Sequence, residues 1–534
     1  MRVLLINPEY PIAETPSPPL ALAVLAAALE QAGIEVEVFD LVVHPYSEAA
    51  LESVLSRFSP RIVGVTCVTM NVHAAAKVVG AVKQMAPEVL TVMGGPHVSF
   101  CPAETFRSIA SLDCICRGEG ERCLVALCRA AAEGTDFSAV PGLVWRDRET
   151  VIENDASAPP VDLDSTGPPA RHLLALGRYR ALGLPVSMIT SRGCPFHCIF
   201  CVGRKMGGAR IRYRSPETVV AEMAALAKLG FHQINLADDL FTADPDRCSR
   251  ICRRIRQTGL SPSWTCFGRV DTVTEKLAAE LASAGCHTIS FGVESADAGI
   301  LKTVRKGITT DQVLAAVSAC VGAGVTPQAS FILGLPGETP QTLDKTVAFA
   351  DRLQQMGATF GFHLLAPFPG SDVRQRAAAY GLRILTEDWR RYHANRAVAE
   401  TTAVSASMLD EIVIRWEKKY ESYLAELNRL RRTGAAPAKQ VWPLTRLEHT
   451  VVIYDLMMAR SVETDGFWRN GRGPVDPETA LAGLKQRVAV PDGAGYGPSQ
   501  LEKTLDFAFS QGYLDLASDA GTIRWRWVET LPQK

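Results

Sequence analysis

Ser191-Arg192-Gly193-Cys194-Pro195-Phe196-His197-Cys198-Ile199-Phe200-Cys201 sets three cysteines at a C-x3-C-x2-C spacing, directly after an apolar run, Val186–Thr190, that reads as a strand. Cysteine is 14 of 534 residues, so a triplet at those offsets arises by chance in about one such sequence in a hundred. Three thiolates on one short loop can wrap an iron–sulfur cluster. On a four-iron cluster they leave one iron without a protein ligand, and an open metal position is where a substrate or cofactor binds. Zinc would want a fourth Cys or His, and His197 lies within the loop; a chance loop is the remaining alternative.

Downstream of this loop the pattern repeats. Strands are expected at Val186–Thr190, Gln233–Leu236, Ser263–Phe267, Thr288–Phe291, Gln328–Leu333 and Phe360–Leu365, with helices between them. One helix opens at Ser215-Pro216, a capping serine followed by proline at the first helical position, and others follow Asp244, Thr272, Thr309 and Thr339. Six repeats fall short of the eight of a closed barrel, so a partial, open parallel barrel is expected over residues 181–385, with its chemistry on the rim at the strand ends.

Upstream, residues 1–140 alternate β-branched runs (Val3–Ile6, Ile34–Phe39, Ile62–Thr66, Leu90–Met93, Asp113–Cys116) with helical stretches such as Leu20–Gln31 and Val72–Lys83. Strands without polar alternation are buried on both faces, as in a doubly wound α/β sheet. Ligands of such sheets lie beyond the carboxyl ends of the strands, here Pro8–Pro19, Cys67–Asn71, Gly94–Ser99 and Gly118–Glu121. These loops are rich in Gly, Pro and small polar residues; they suit a ligand and equally suit plain loops. Residues 141–180 read as a hairpin (Leu143–Asp147, Thr150–Asn154) and a linker over Ala156–Pro169.

Residues 386–434 form a helical extension, whose Ser407–Arg432 stretch carries an apolar stripe (Leu409, Ile412, Trp416, Tyr420, Tyr423, Leu427, Leu430) that reads as packing. After a linker at Gly434–Gln440, residues 441–534 look like a small helical, winged-helix-like domain ending in a hairpin around Ser518-Asp519-Ala520-Gly521. A nucleic-acid module of that type should be basic, yet this segment holds 10 Lys and Arg against 12 Asp and Glu.

The whole chain is nearly neutral, 56 basic against 57 acidic residues, which argues against bulk binding to nucleic acid or anionic membrane. At 47% hydrophobic residues disorder is excluded as the dominant state. The first apolar run is too short for a secretory signal, and none approaches a transmembrane span, so a cytoplasmic protein is expected. There thiols stay reduced, and scattered cysteines such as Cys123, Cys248 and Cys320 read as small buried hydrophobes.

The cysteine loop after the first strand of a six-repeat barrel resembles the radical S-adenosylmethionine (SAM) superfamily. The resemblance implies that Cys194, Cys198 and Cys201 are the catalytic cluster ligands of a 4Fe–4S cluster, whose fourth iron is chelated by SAM. Reductive cleavage then yields a 5′-deoxyadenosyl radical. It further implies SAM-binding roles at successive strand ends. Asp238 and Asp239 would meet the amino end, although the pair replaces the Gly-Gly-Glu of many members. Arg269 would meet the carboxylate, Glu294 with Ser295 the ribose, and Gly334 and Phe200 the adenine. The doubly wound domain in front resembles the cobalamin-binding subclass. Carried over, its sites are Pro18, Pro19 and Leu20, then Cys67, Thr69 and Met70, then Gly94, Gly95, His97 and Val98, then Gly118, Glu119 and Glu121. The Asp-x-His-x-x-Gly signature that supplies a lower histidine to cobalt is absent. His44, His73 and His97 lack its spacing, and a ligand-free or water-ligated lower face is expected.

The resemblance covers about residues 1–430 and implies a cobalamin-dependent methyltransferase acting on an unactivated carbon of a small-molecule substrate, with an electron donor such as flavodoxin or ferredoxin. A cyclase of the anaerobic magnesium-protoporphyrin ester type shares the layout and is the rival within the class; a non-catalytic iron–sulfur sensor is the rival outside it. Phe362, His363, Pro367 and Tyr380 are candidates for the substrate pocket, with barrel-wall packing the alternative.

Overall fold

The first sheet begins with β1 (Arg2–Asn7), whose four central residues are buried, as an all-apolar strand between two helical layers requires. Its partners are β2 (Glu35–Asp40), β3 (Ile62–Thr66), β4 (Leu90–Gly94) and β5 (Cys114–Cys116), all parallel, in the order β2-β1-β3-β4-β5. The helix Leu20–Gln31 lies where expected, immediately after Pro19. In this computed structural model the described residues are 1–12, 15–154, 160–231, 233–436, 438–469, 476–491, 493–519 and 522–531.

The hairpin β6 (Leu143–Asp147) and β7 (Thr150–Glu153) does not stand apart with the linker. β6 pairs antiparallel with β5, so the hairpin extends the first sheet to seven strands. Periodicity could not show this, because an antiparallel edge and a free hairpin share one pattern. Residues 155–159 of the expected linker lie outside the described residues.

Six parallel strands form the second sheet: β8 (Val186–Met188), β9 (Gln233–Leu236), β10 (Ser263–Gly268), β11 (Cys286–Glu294), β12 (Thr326–Leu333) and β13 (Thr359–Leu364). They run in chain order without closing, a partial barrel. Helix starts are set by side-chain caps from Ser215, Asp244, Thr309 and Thr339 to the backbone N–H three residues on. A fifth cap is Thr274 rather than the expected Thr272, whose hydroxyl instead donates to the Arg269 carbonyl at 2.8 Å. Ile234, Trp264, Ile289, Phe291, Ala329 and Phe331 point into the helical layer and are buried. The alternate residues face the lumen. There Thr265 donates to Asn235 at 2.9 Å and Ser290 to Gln328 at 3.0 Å, while Phe267 is 52% exposed.

The helix Ala406–Arg432 buries Leu409, Ile412 and Leu427 and packs Trp416 on Phe360 and Phe362, but Tyr420 and Tyr423 are exposed. Packing therefore accounts for only part of the expected stripe. The next helix, Ala438–Met458, begins inside the expected Gly434–Gln440 linker. The C-terminal strands β14 (Phe467–Arg469), β15 (Leu514–Asp519) and β16 (Thr522–Trp527) form an antiparallel sheet in the order β14-β16-β15, beside helices Pro477–Arg487 and Pro498–Ser510. This is a winged-helix-like arrangement; residues 520–521 of its hairpin turn lie outside the described residues. No helix among the described residues is long and apolar enough to cross a membrane.

The C-terminal module shares its core with the rest of the chain. Leu456, Leu505, Trp525 and Trp527 pack in one cluster with Val42 and Val43, just after β2, and with Tyr179 and Leu182. Arg178, buried, donates to the Val43 carbonyl at 3.1 Å, to Glu463 at 2.9 Å and to Glu529 at 2.6 Å. Breaking a buried pair strands a charge and costs roughly 3–5 kcal/mol. Arg178→Met is accordingly expected to lower the thermal midpoint and to make limited proteolysis release the 441–534 segment first, followed by gel electrophoresis over time.

Candidate functional site

The cysteine loop leaves β8 through a polar knot. Asp238 is buried and accepts from Thr190 N–H at 2.6 Å, Thr190 Oγ1 at 2.6 Å and Ser191 Oγ at 2.5 Å. Burial raises its pKa, against which the Ser191 and Thr190 donors pull. Asp238 therefore ties two strand ends together, and it is Asp239 that is left exposed beside the loop. Asp239 Oδ2 accepts from Gly193 N–H at 3.0 Å. Gly193 has φ +103, and a Cβ there would lie 2.6 Å from the Arg210 carbonyl oxygen, so only glycine fits.

Cys194 and Cys198 are partly buried and Cys201 is exposed. Cys194 N–H donates to the Gly208 carbonyl, and Gly203 N–H donates to Cys201 Sγ at 3.3 Å. Hydrogen bonds of this kind to sulfur are a normal part of iron–sulfur ligation. Burial raises the Cys198 thiol, while Lys306 and Arg269 act in the opposite sense. Among the described residues no three His, Cys, Asp or Glu side chains converge as a site for a single ion. Three thiols spaced along one open loop fit a multi-iron cluster better than a lone zinc.

Arg269 is engaged rather than free. Its guanidinium lies 3.6 Å from the centroid of the Phe196 ring, pairs with Asp271 through two 2.9 Å hydrogen bonds, and donates to the Lys306 carbonyl at 3.1 Å. It buttresses the loop from below. Glu294 is buried in the left-handed region (φ +67) and pairs with Lys306 Nζ at 2.7 Å. A Cβ on Gly292 would overlap Glu294 Oε1 and come within 2.7 Å of Lys306 Nζ, so this glycine makes room for the pair. Ser295 is buried against Thr346 Oγ1 at 3.2 Å, behind the rim. Phe200 packs on the apolar cluster of Ile199, Leu335 and Leu365. The Gly334 N–H donates to Glu338 Oε2 at 2.7 Å, and Leu335 N–H to the same oxygen at 3.0 Å. Buried Glu338 has its pKa raised to about 8 by burial, partly offset by those two donors.

At the carboxyl ends of β1, β3, β4 and β5 lies a cavity of about 400 Å³. Leu20, Gly94, Gly95, Gly118, Glu119 and Glu121 of the expected cobalamin residues line it, and it runs inward between Leu25 and Leu124 of two flanking helices. Gly95 has φ +109, and a Cβ there would overlap the Cys67 carbonyl oxygen. Pro18, Pro19, Cys67, Thr69, Met70, His97 and Val98 are not in the lining; Cys67, His97 and Val98 are buried behind it. His97 contacts Thr69 Oγ1 at 3.2 Å and meets Trp389 edge-on at 5.1 Å. Burial holds its pKa down at about 4. His44 contacts Glu529 and His73 is exposed near Asp388, so none of the three histidines faces the cavity.

Three cavity-lining residues come from the barrel: Ile189, Arg192 and Met206. Arg192 lies 2.7 Å from Glu121 and 3.5 Å from Glu119, and Glu119 also accepts from Arg212. Sequence reasoning missed Arg192, Met206 and Lys306. Arg192 adjoins the motif itself, but nothing in one dimension shows that it reaches the first sheet. In the barrel, Phe362 packs outward against Phe331 and Trp416, Pro367 is buried, Tyr380 packs beside Arg376, and His363 is exposed on the alternate face.

Comparison with known proteins agrees with this geometry. Residues 188–350 match the family model of the radical SAM superfamily and residues 13–128 that of the B12 binding domain. An uncharacterized methyltransferase of Pyrococcus horikoshii is 35% identical over 400 residues, covering 73% of this chain and 86% of the relative. The anaerobic magnesium-protoporphyrin IX monomethyl ester cyclase of Rubrivivax gelatinosus is 28% identical over 78% of this chain and 77% of its own. Among solved structures, the radical SAM methyltransferase TsrM of Kitasatospora setae, with cobalamin and a [4Fe-4S] cluster bound, is similar at 25% identity and a TM-score of 0.63, covering 77% of this chain and 80% of that one.

Two outcomes follow from the rim. Glu338 has a folded-state pKa above its unfolded value of roughly 4.3. The stability it contributes is therefore full below pH 4.3, declines by about 1.4 kcal/mol per unit as pH rises, and is gone above about 8. Glu338→Gln abolishes that slope, so the difference in thermal midpoint between wild type and variant should change steadily from pH 5 to about 7.5 and level off above about 8. Gly292→Ala should displace the Glu294–Lys306 pair and weaken SAM binding by about tenfold, roughly 1.4 kcal/mol, with iron content unchanged; calorimetric titration with SAM checks it.

Proposed function

Because this chain belongs to the radical SAM superfamily, in the subclass with a B12-binding domain ahead of the barrel, we propose that it is a cobalamin-dependent methyltransferase acting on an unactivated carbon of a small molecule. One observation carries the reading. The glycine-walled cavity of the first sheet is closed by Ile189, Arg192 and Met206, which flank the cysteine loop, so the two cofactor cradles share a wall. When bound, the cluster with SAM supplies a 5′-deoxyadenosyl radical and cobalamin supplies the methyl group.

The rest falls to the chain. Cys194, Cys198 and Cys201 hold the cluster, with Arg269 stacked on Phe196 to keep the loop in place. Asp239, exposed beside the loop, is the carboxylate for the SAM ammonium, and the Glu294–Lys306 pair orients the ribose. Gly94, Gly95 and Gly118 let the backbone approach the corrinoid, while Arg192, Glu119 and Glu121 offer polar contacts to its amide arms. The substrate occupies the lumen. Its wall carries Asn235, Thr265, Ser290 and Gln328, all uncharged, and the exposed ring of Phe267. Such a surface suits a neutral, hydrogen-bonding molecule with a flat apolar part. Around the loop, exposed Lys205 and Arg305 share a single acidic partner, Asp372, at 3.0 and 3.9 Å, and the surplus positive charge suits an acidic electron donor such as flavodoxin or ferredoxin.

Anaerobically reconstituted protein is expected to show thiolate–iron absorption at roughly 400 nm; replacing all three loop cysteines with alanine should abolish it together with SAM cleavage. Incubation with SAM, dithionite, hydroxocobalamin and candidate substrates should give a methylated product with S-adenosylhomocysteine, read by mass spectrometry. A ring-forming product without S-adenosylhomocysteine would assign the cyclase reading instead, and complete absence of SAM cleavage the sensor reading.

A further inference from the structure

A cavity of about 610 Å³ shares no residue with the cysteine loop or the glycine-walled cavity. It lies between the segment leading into the barrel, the helix Pro216–Lys228 and residues 530–531. Its walls are mostly apolar and include Leu163, Pro169, Leu174, Leu226, Leu229 and Leu531. One end is different. There Glu222 is held between Arg171, at 2.7 Å, and Arg214, at 2.5 Å, and all three are more than nine-tenths buried.

This arrangement is incomplete. Arg171 spends Nε and Nη2 on Glu222 and on the Ser187 carbonyl, but its buried Nη1 has no hydrogen-bond partner among the described residues. Buried guanidinium donors are ordinarily satisfied, so an unpaired one beside a large cavity points to a missing acceptor. The charge count agrees. Arg171, Arg214 and Lys228 line the cavity against Glu222 and Asp164, leaving one positive charge in excess. Asp164 is itself occupied by Ser215 N–H and Thr218 Oγ1.

We propose that this cavity is a second small-molecule site, for an amphiphile whose carboxylate head docks on Arg171 and whose apolar body lies against the leucines. The site touches the chemistry through one strand. Arg171 Nη2 donates to the Ser187 carbonyl and Arg214 Nη1 to that of Ile189, both at 2.8 Å, and this stretch runs straight into the cysteine loop. A head group that recruits Arg171 therefore alters the support of the segment that presents the cluster ligands, which makes the cavity suited to an effector.

Calorimetric titration of the full-length protein with decanoate, decanol and decylamine tests this. Decanoate should bind, with decanol at least tenfold weaker and decylamine weaker still. Ala225 is an exposed wall position on the Pro216–Lys228 helix, so Ala225→Trp fills the cavity without disturbing the buried triad. It should cut decanoate affinity at least tenfold with thermal midpoint and cluster absorption unchanged. Arg171→Lys, which keeps the charge beside Glu222 and removes Nη1, should weaken decanoate more than decanol. The proposal is overturned if wild type binds no decanoate, if Ala225→Trp binds it equally, if the three probes bind alike, or if binding occurs only once residues 532–534 are removed.

Discussion

Asp238 accepting three hydrogen bonds from Thr190 and Ser191 is the contact on which the site's geometry depends, because it decides where β8 ends and the cysteine loop begins. A carboxylate so deeply buried is costly unless its lone pairs are filled. Two hydroxyls and a backbone N–H fill them, and Arg247 adds the charge from the other side by donating to Thr190 O at 2.7 Å and Thr190 Oγ1 at 3.2 Å. The strand end is thus clamped by an acid and a base on one threonine. Gly193 can then turn at positive φ into the loop with Asp239 beneath it.

The same logic extends one layer outward. Arg171 and Arg214 grip the carbonyls of Ser187 and Ile189 while sharing Glu222, so alternate carbonyls leading into the loop are held by buried side chains. A cluster whose ligands come from one loop needs this external support, since three thiols on eight residues bring little rigidity of their own. Short loops presented by rigid strands are how barrels generally carry their chemistry. Here the rigidity is electrostatic as much as apolar.

Much of this architecture was legible before any coordinates. The two parallel sheets announced themselves through apolar strands without alternation. Caps at Ser215, Asp244, Thr309 and Thr339 are short-range signals, and the structure uses each of them. Cys194, Cys198 and Cys201 stand out by spacing alone. What escaped has a common cause. Asp238 and Asp239 are adjacent and chemically identical, and only the fold decides which is consumed inside and which faces out. Arg269 looked available because its partner Asp271 is two residues away, where a bidentate pair and an exposed side chain are equally natural. Lys306 belongs to the site through Glu294, twelve positions earlier, and Arg192 through Glu119 and Glu121 in another domain. His97, a histidine in a glycine-rich ligand loop, reads as functional from the sequence; the fold buries it against Trp389 from beyond the barrel, which lowers its pKa and sets it behind the cavity lining.

That last contact bears on how the two halves stay in register. Trp389 follows the final barrel strand, yet it packs on His97 and donates to Glu104, both in the first domain, while Arg374 lies over its ring at 4.4 Å. Gly370 approaches so closely that a Cβ there would overlap the Phe100 ring. Close by, Arg192 and Arg212 reach Glu119 and Glu121. The interface is pinned both by aromatic packing and by ion pairs, and Glu119, Glu121 and Arg192 of those pairs line the glycine-walled cavity. Apolar packing resists separation at any ionic strength, whereas the ion pairs weaken as salt rises or as a polar ligand competes for them. A ligand entering the cavity therefore meets the adaptable contacts of the interface, and the aromatic contacts keep the cradles aligned while it does so.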